Sequence, residues 1–154
     1  MAELFTLGYE RTTQTCFLHA LKSRDISTLI DVRSRPLSRK PGFSKTSLAK
    51  GCEGEGIRYE HESVFGCPIP ILNQYRIDGN WSAYCIQFNK HLPSIIEAIE
   101  ELASRALKEH LCLVCFEADP FFCHRSILAN AAAEICPRLE IVHLTSSGQT
   151  VVAR

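Results

Sequence analysis

With 154 residues, 45% of them hydrophobic and 22% charged, the chain reads as one globular domain over 1–154, long enough to bury roughly two thirds of its unfolded surface. Its 17 basic and 17 acidic side chains cancel, so net charge argues neither for nor against an anionic partner. No apolar run approaches the ~20 residues that cross a bilayer, which excludes a spanning helix and leads us to expect a soluble protein.

Leu4–Leu7 followed by Gly8 reads as a short buried strand and turn. Thr12 or Thr13 then caps a helix with Cys16, Phe17, Ala20 and Leu21 on one face. Ile26–Val32 is β-branched and apolar, carries Asp31 and runs into Arg33, and is expected to be the second strand. Two prolines and a glycine make 34–43 a loop; Ser44 is expected to cap a short helix to about Cys52, which Gly54 and Gly56 end. Ile57–Glu60 is a third strand. Gly66, Pro68, Pro70 and Gly79 mark 62–80 as an irregular excursion, and helical pattern resumes near Trp81. Pro93 opens a fresh helix with a 3.6-residue stripe of Ile95, Ile96, Ile99, Leu102, Ala103, Ala106 and Leu107. Leu111–Phe116 is the fourth strand, His124–Ile135 the last main helix and Leu139–Leu144 the fifth strand. Alternating strands and helices imply an α/β, Rossmann-like domain: a mostly parallel sheet of about five strands with helices on both faces.

Eight cysteines stand at 16, 52, 67, 85, 112, 115, 123 and 136. They fall in different elements, several at apolar positions, and no secretory signal precedes the first strand. The expectation is a reduced, cytoplasmic protein whose thiols mostly serve as small buried side chains.

Several separated motifs occur in order: Gly8-Tyr-Glu10, Asp31-Val-Arg33, Pro36-x-Ser38-Arg-Lys-Pro-Gly-Phe-Ser44-Lys45, Gly56-Ile-Arg-Tyr-Glu-His61, and Cys115-x-Glu117-x-Asp-Pro-x-x-Cys123-His124-Arg125. Together they resemble the domain of unknown function 488 family over about 6–143. The resemblance implies a small Rossmann-like α/β fold and brings no established reaction. Where members often carry Leu-Gly-Gly after the third strand, this chain has Val64-Phe65-Gly66-Cys67.

The chemistry concentrates at strand carboxyl ends, where parallel sheets bind ligands. The densest stretch, Cys115 to Arg125, follows a strand and opens a helix. Arg33, Glu117 and Arg125 are expected to converge in one pocket there. Glu10 and Glu117 are general acid/base candidates, each following a strand near arginines; their alternative is salt bridging. Cys123, beside His124 and Arg125 at a helix start, is a candidate thiolate nucleophile, because a helix N-terminus and cations lower a thiol pKa. Its alternative is a packed thiol with His124 capping backbone. The spacing is not the Cys-x5-Arg of phosphatases, since residue 121 is Phe.

Arg33, Arg35, Arg39, Lys40 and Arg125, with Tyr59, are assigned to an anionic substrate, and Asp31 and Cys115 to orienting roles. The alternative pairs Arg33 and Arg125 with Asp31 and Glu117. From residue 32 to 52 there are six basic residues and no acid, which makes that loop, expected to be mobile and to offer Phe43, a phosphate-contacting surface. Zinc held by Cys115, Cys123 and His124, with Glu117 or Asp119, is disfavoured: the spacing is irregular, and adjacent helical side chains diverge by ~100°. No cofactor is therefore expected. His61, His143, Trp81 and Phe88 are expected in the core. The leading reading is an enzyme acting on a phosphate-bearing substrate, nucleotide or nucleic acid; the alternative is a non-catalytic anion or nucleic-acid binding module whose Cys/Glu/Cys/His/Arg cluster is structural. Nothing in the sequence sets the oligomeric state.

Overall fold

The computed structural model describes residues 2–151. Five strands, β1 (Ala2–Gly8), β2 (Thr28–Asp31), β3 (Arg58–His61), β4 (Leu111–Cys115) and β5 (Leu139–His143), form one parallel sheet in the order β3-β2-β4-β1-β5. Because strand side chains alternate, each strand feeds both faces. In β4, Leu111, Leu113 and Cys115 join one core while Cys112 and Val114 join the other.

The first core is covered by α4 (Trp81–His91), α5 (Ile96–Ala106) and α6 (His124–Ile135); the second by α1 (Gln14–Ser23) and α2 (Lys45–Gly54). Of the expected stripe, Ile99, Leu102, Ala103 and Ala106 are buried in α5 and Ile95 in the 3-10 turn before it, whereas Ile96 at the start of α5 is exposed. Thr13 caps α1, accepting from Cys16 N–H at 3.2 Å. Ser44 stands at the cap position of α2 but makes no capping bond; its hydroxyl bonds Ser38 instead.

One expectation fails outright. Within 62–80, Ile69–Asp78 forms a ten-residue helix, α3. Pro68 and Pro70 lie at its start, where the first-turn N–H groups have no intrahelical partner and proline costs nothing. Gly79 ends it at φ 60°. Residues read as breakers are its start and stop signals. Its face is only half-buried, through Ile71, Leu72 and Tyr75, so no strong periodicity announced it.

At the end of β5, His143 is half-buried and hydrogen-bonds the Thr6 hydroxyl at 2.6 Å. Burial, then the Arg125 charge, lowers its pKa to about 4, with Asp119 acting in the opposite sense. Between that value and the unfolded value of about 6.5, the unfolded chain binds the proton and the folded chain does not. Stability is therefore expected to fall as pH drops from about 6.5 to 4, by up to about 3 kcal/mol from this group before solvent screening. Urea unfolding at several pH values should show a smaller loss across that window in His143→Gln than in the wild type.

Candidate functional site

The chain leaves β2 toward α2 on one face and leaves the adjacent β4 toward α6 on the other. Parallel sheets bind ligands beyond strand ends that diverge in this way. Asp31–Arg33 and Cys115–Glu117 stand at these two ends. The side chains they carry divide between the two faces of the sheet.

On the α1/α2 face, Asp31 is fully buried, 0% exposed, and its carboxylate accepts from Arg33 backbone N–H (3.1 Å), Nε (2.9 Å) and NH2 (2.7 Å), and from the Tyr59 hydroxyl. Arg33 NH1 donates to Tyr9 Oη at 3.1 Å and to the Phe43 carbonyl at 2.8 Å. Its guanidinium also lies 5.1 Å from the Tyr9 ring centroid. His61 Nε2–H donates to the Arg33 carbonyl at 2.7 Å. Arg33 and Tyr59, expected to hold an anion, are thus committed to Asp31.

The loop between β2 and α2 is not the mobile segment expected. Phe43 is buried and stacks on Tyr9 at 4.7 Å between centroids, so it is closed to a base. Gln14 donates to the Gly42 and Ser47 carbonyls at 2.7 and 3.0 Å, and Ser38 and Ser44 close the loop on itself. Gly42 supports this at φ 90°, a conformation a side chain would strain. From this fixed loop Arg35, Arg39 and Lys45 project into solvent and Lys40 is half-exposed. None of them enters an ion pair with the described residues.

On the α4–α6 face lies the second cluster. Cys123 is the cap residue of α6 and is extended (φ −139°, ψ 140°), not helical. The ~100° divergence assumed for neighbouring helical residues therefore does not apply. Cys115 Sγ, Cys123 Sγ and a His124 ring nitrogen lie within 4.8 Å of one another, all buried. His124 Nε2–H donates to the Val32 carbonyl at 2.9 Å, tying the start of α6 to the residue after β2, and Nδ1 faces Cys115 Sγ at 3.8 Å. That bond assigns the tautomer and leaves the Nδ1 lone pair turned toward the thiols.

The half-buried Glu117 interacts with Cys123 and His124; burial is the main reason its carboxyl is pushed up to about 7. Cys123 is 1% exposed, and burial pushes its thiol up to about 12. The lowering expected from the helix end and the neighbouring cations is overridden, so the thiolate is disfavoured in the unliganded protein. Two neighbours escaped the sequence reading. The buried Tyr84 adjoins the cluster and Cys67 adjoins Tyr84, and burial raises both. Tyr84 is spaced i, i+4 from Phe88 on α4, a signal indistinguishable from ordinary packing.

The loop after β4 is bound down onto β1. Tyr9 N–H donates to the Cys115 carbonyl (3.2 Å), Glu10 N–H to that of Phe116 (2.8 Å), and Ala118 N–H to Glu10 Oε1 (2.9 Å). Arg125, 0% exposed, donates through NH1 to the Glu117 carbonyl at 2.6 Å and leaves Nε without a hydrogen-bond partner among the described residues. It meets the Glu117 backbone rather than the carboxylate expected as its alternative partner.

Arg33 and Arg125 therefore do not share a pocket. One belongs to the α1/α2 face, and the other reaches from α6 beneath the 116–119 loop. Glu117, Cys115, Cys123 and His124 are brought together; Glu10 braces the loop beside them; Arg35, Arg39 and Lys40 stand outside on the basic loop.

Comparison with curated proteins and with solved structures gives no match. The family model described as domain of unknown function DUF488 matches residues 13–132, which take in α1 through most of α6 and both clusters. By that match and by its five-stranded parallel α/β architecture, the chain belongs to the DUF488 family.

Proposed function

We propose that this protein binds a phosphate-bearing partner, a nucleotide or nucleic acid, through the basic loop at the carboxyl end of its sheet. The observation that carries this reading is the loop itself: Arg35, Arg39, Lys40 and Lys45 stand on a backbone locked by Phe43, Gln14 and Ser44, without acidic partners. A fixed loop has already lost the freedom that binding would otherwise cost, and its unpaired cations remain available to phosphate oxygens. With Arg33 and Arg125 engaged internally, the anion contacts fall to these exposed side chains.

A second reading makes the bound partner a substrate. It is favoured by the position of Glu117, half-buried beside His124 and Cys123 beyond the ends of β2 and β4. A carboxyl there is placed to move a proton for a group reaching in from the loop.

Binding of labelled single-stranded oligonucleotides over a salt series tests both readings, run beside assays for release of phosphate, nucleotide or base. Replacing Arg35, Arg39, Lys40 and Lys45 with Gln should weaken binding and flatten the log–log salt slope by about 3, at ~0.7 per lost single-strand phosphate contact. An unchanged slope would sink the proposal. If Glu117→Gln keeps binding and loses turnover, the enzyme reading holds; if binding is salt-sensitive and no substrate turns over, the protein is a binding module.

A further inference from the structure

We infer that Cys115, Cys123 and His124 form a binding site for a thiophilic divalent metal of the zinc class, with the fourth position open to Glu117, which lies outside the three gathered donors. The expectation of no metal rested on irregular spacing and on diverging side chains, and the extended Cys123 removes the second objection.

Three independent features point the same way. First, the donor atoms are already gathered from two elements: Cys115 at the end of β4, and Cys123 with His124 at the start of α6. Tetrahedral zinc with bonds of about 2.0–2.3 Å needs donors about 3.5–3.8 Å apart. Cys115 Sγ and His124 Nδ1 stand at 3.8 Å, and all three donors lie within 4.8 Å of one another, so closing on an ion needs shifts of about an ångström.

Second, the imidazole is oriented as a metal ligand is. Its Nε2–H is held by the Val32 carbonyl at 2.9 Å, which fixes the tautomer and presents the Nδ1 lone pair to the thiols. In the metal-free protein that nitrogen accepts from the Cys115 thiol, and loss of the thiol proton would free the same lone pair to coordinate.

Third, the charges balance. Binding releases the two thiol protons to solvent. A dication then balances the two thiolates within one buried site. Arg125 lies within electrostatic reach of Cys123 while its NH1 donates to the Glu117 backbone. The other fully buried thiols, Cys52 and Cys112, lie in the apolar α1/α2 core and serve packing.

The site does not depend on the phosphate-binding reading, and loop variants should load metal normally. The test uses the full chain, reduced, stripped with chelator and titrated with cobalt(II) or zinc. Stoichiometric uptake is expected, with thiolate-to-cobalt charge-transfer absorption, release of about two protons per ion, and a rise in Tm with zinc concentration. Cys115→Ser and Cys123→Ser should each weaken binding by at least about a hundredfold, since even outer partners of a ligand cost 10–100-fold. Cys16→Ser, at an exposed thiol far along the chain, should bind as the wild type does. If a cluster variant fails to fold, the wild-type cobalt spectrum and proton count still decide. Absence of a charge-transfer band in the reduced wild type overturns the proposal, as does unchanged loading in folded Cys115→Ser or Cys123→Ser.

Discussion

Asp31→Asn is expected to destabilise the protein by about 3–5 kcal/mol, because it leaves the charge of Arg33 buried without its counter-ion. Arg33 is 5% exposed and Asp31 0%, with NH2 and Oδ2 2.7 Å apart, so water cannot replace the lost carboxylate. The same carboxylate also accepts the Arg33 backbone N–H and the Tyr59 hydroxyl, so one change disturbs β2, β3 and the start of the basic loop. For a domain of this size the loss would take a large share of total stability. Urea unfolding should show a lower midpoint with an unaltered slope. The double variant Asp31→Leu/Arg33→Met removes both charges and should recover much of the loss, since an apolar pair can match a buried ion pair. A cost below about 1 kcal/mol for Asp31→Asn would mean that the guanidinium finds solvent, contrary to its burial.

Gly8→Ala should cost about 3 kcal/mol or more, by overpacking and by breaking the bonds that seat the loop after β4. A Cβ at residue 8 would lie 1.8 Å from the Glu117 carbonyl oxygen and 2.5 Å from its carbon. Both are backbone atoms and cannot rotate aside. The 116–118 segment must retreat, taking the acceptor of Arg125 and the Ala118 N–H held by Glu10. Hydrogen exchange should therefore speed up at Ala118 and at the start of α6 before the rest of the sheet. Gly54→Ala is the control: no atom lies within 4 Å of its added Cβ, and its stability should stay within about 0.5 kcal/mol of wild type. Equal effects at the two glycines would show that close approach at residue 8 is not what requires glycine.

Much of the fold could be read in the chain because it depends on local periodicity. The α5 stripe, the run Leu111–Cys115 and the Thr13 cap are each decided by residues a few positions apart. The strand-end location of the chemistry was legible for the same reason: Glu10, Asp31 and Glu117 each follow an apolar run directly. α3 was missed because it packs with one half-buried face and begins at prolines, so composition and structure pointed opposite ways.

The sequence by itself determined a parallel α/β sheet, the order of its elements and the grouping of reactive side chains beyond its strands. Which of those side chains meet was decided by tertiary structure. Arg33 and Arg125 have the same chemistry, one just past β2 and the other in the first turn of α6. The opposed courses of α2 and α6 send them to different faces, and burial turns both inward onto carboxylate and carbonyl acceptors. Cys123 and His124 converge because one extended residue precedes the helix, a backbone state that spacing does not encode. Their environment includes Tyr84, which only folding carries there. Burial sums over distant segments of chain, and it sets the protonation of Cys123 and the availability of each arginine; local sequence carries no such sum.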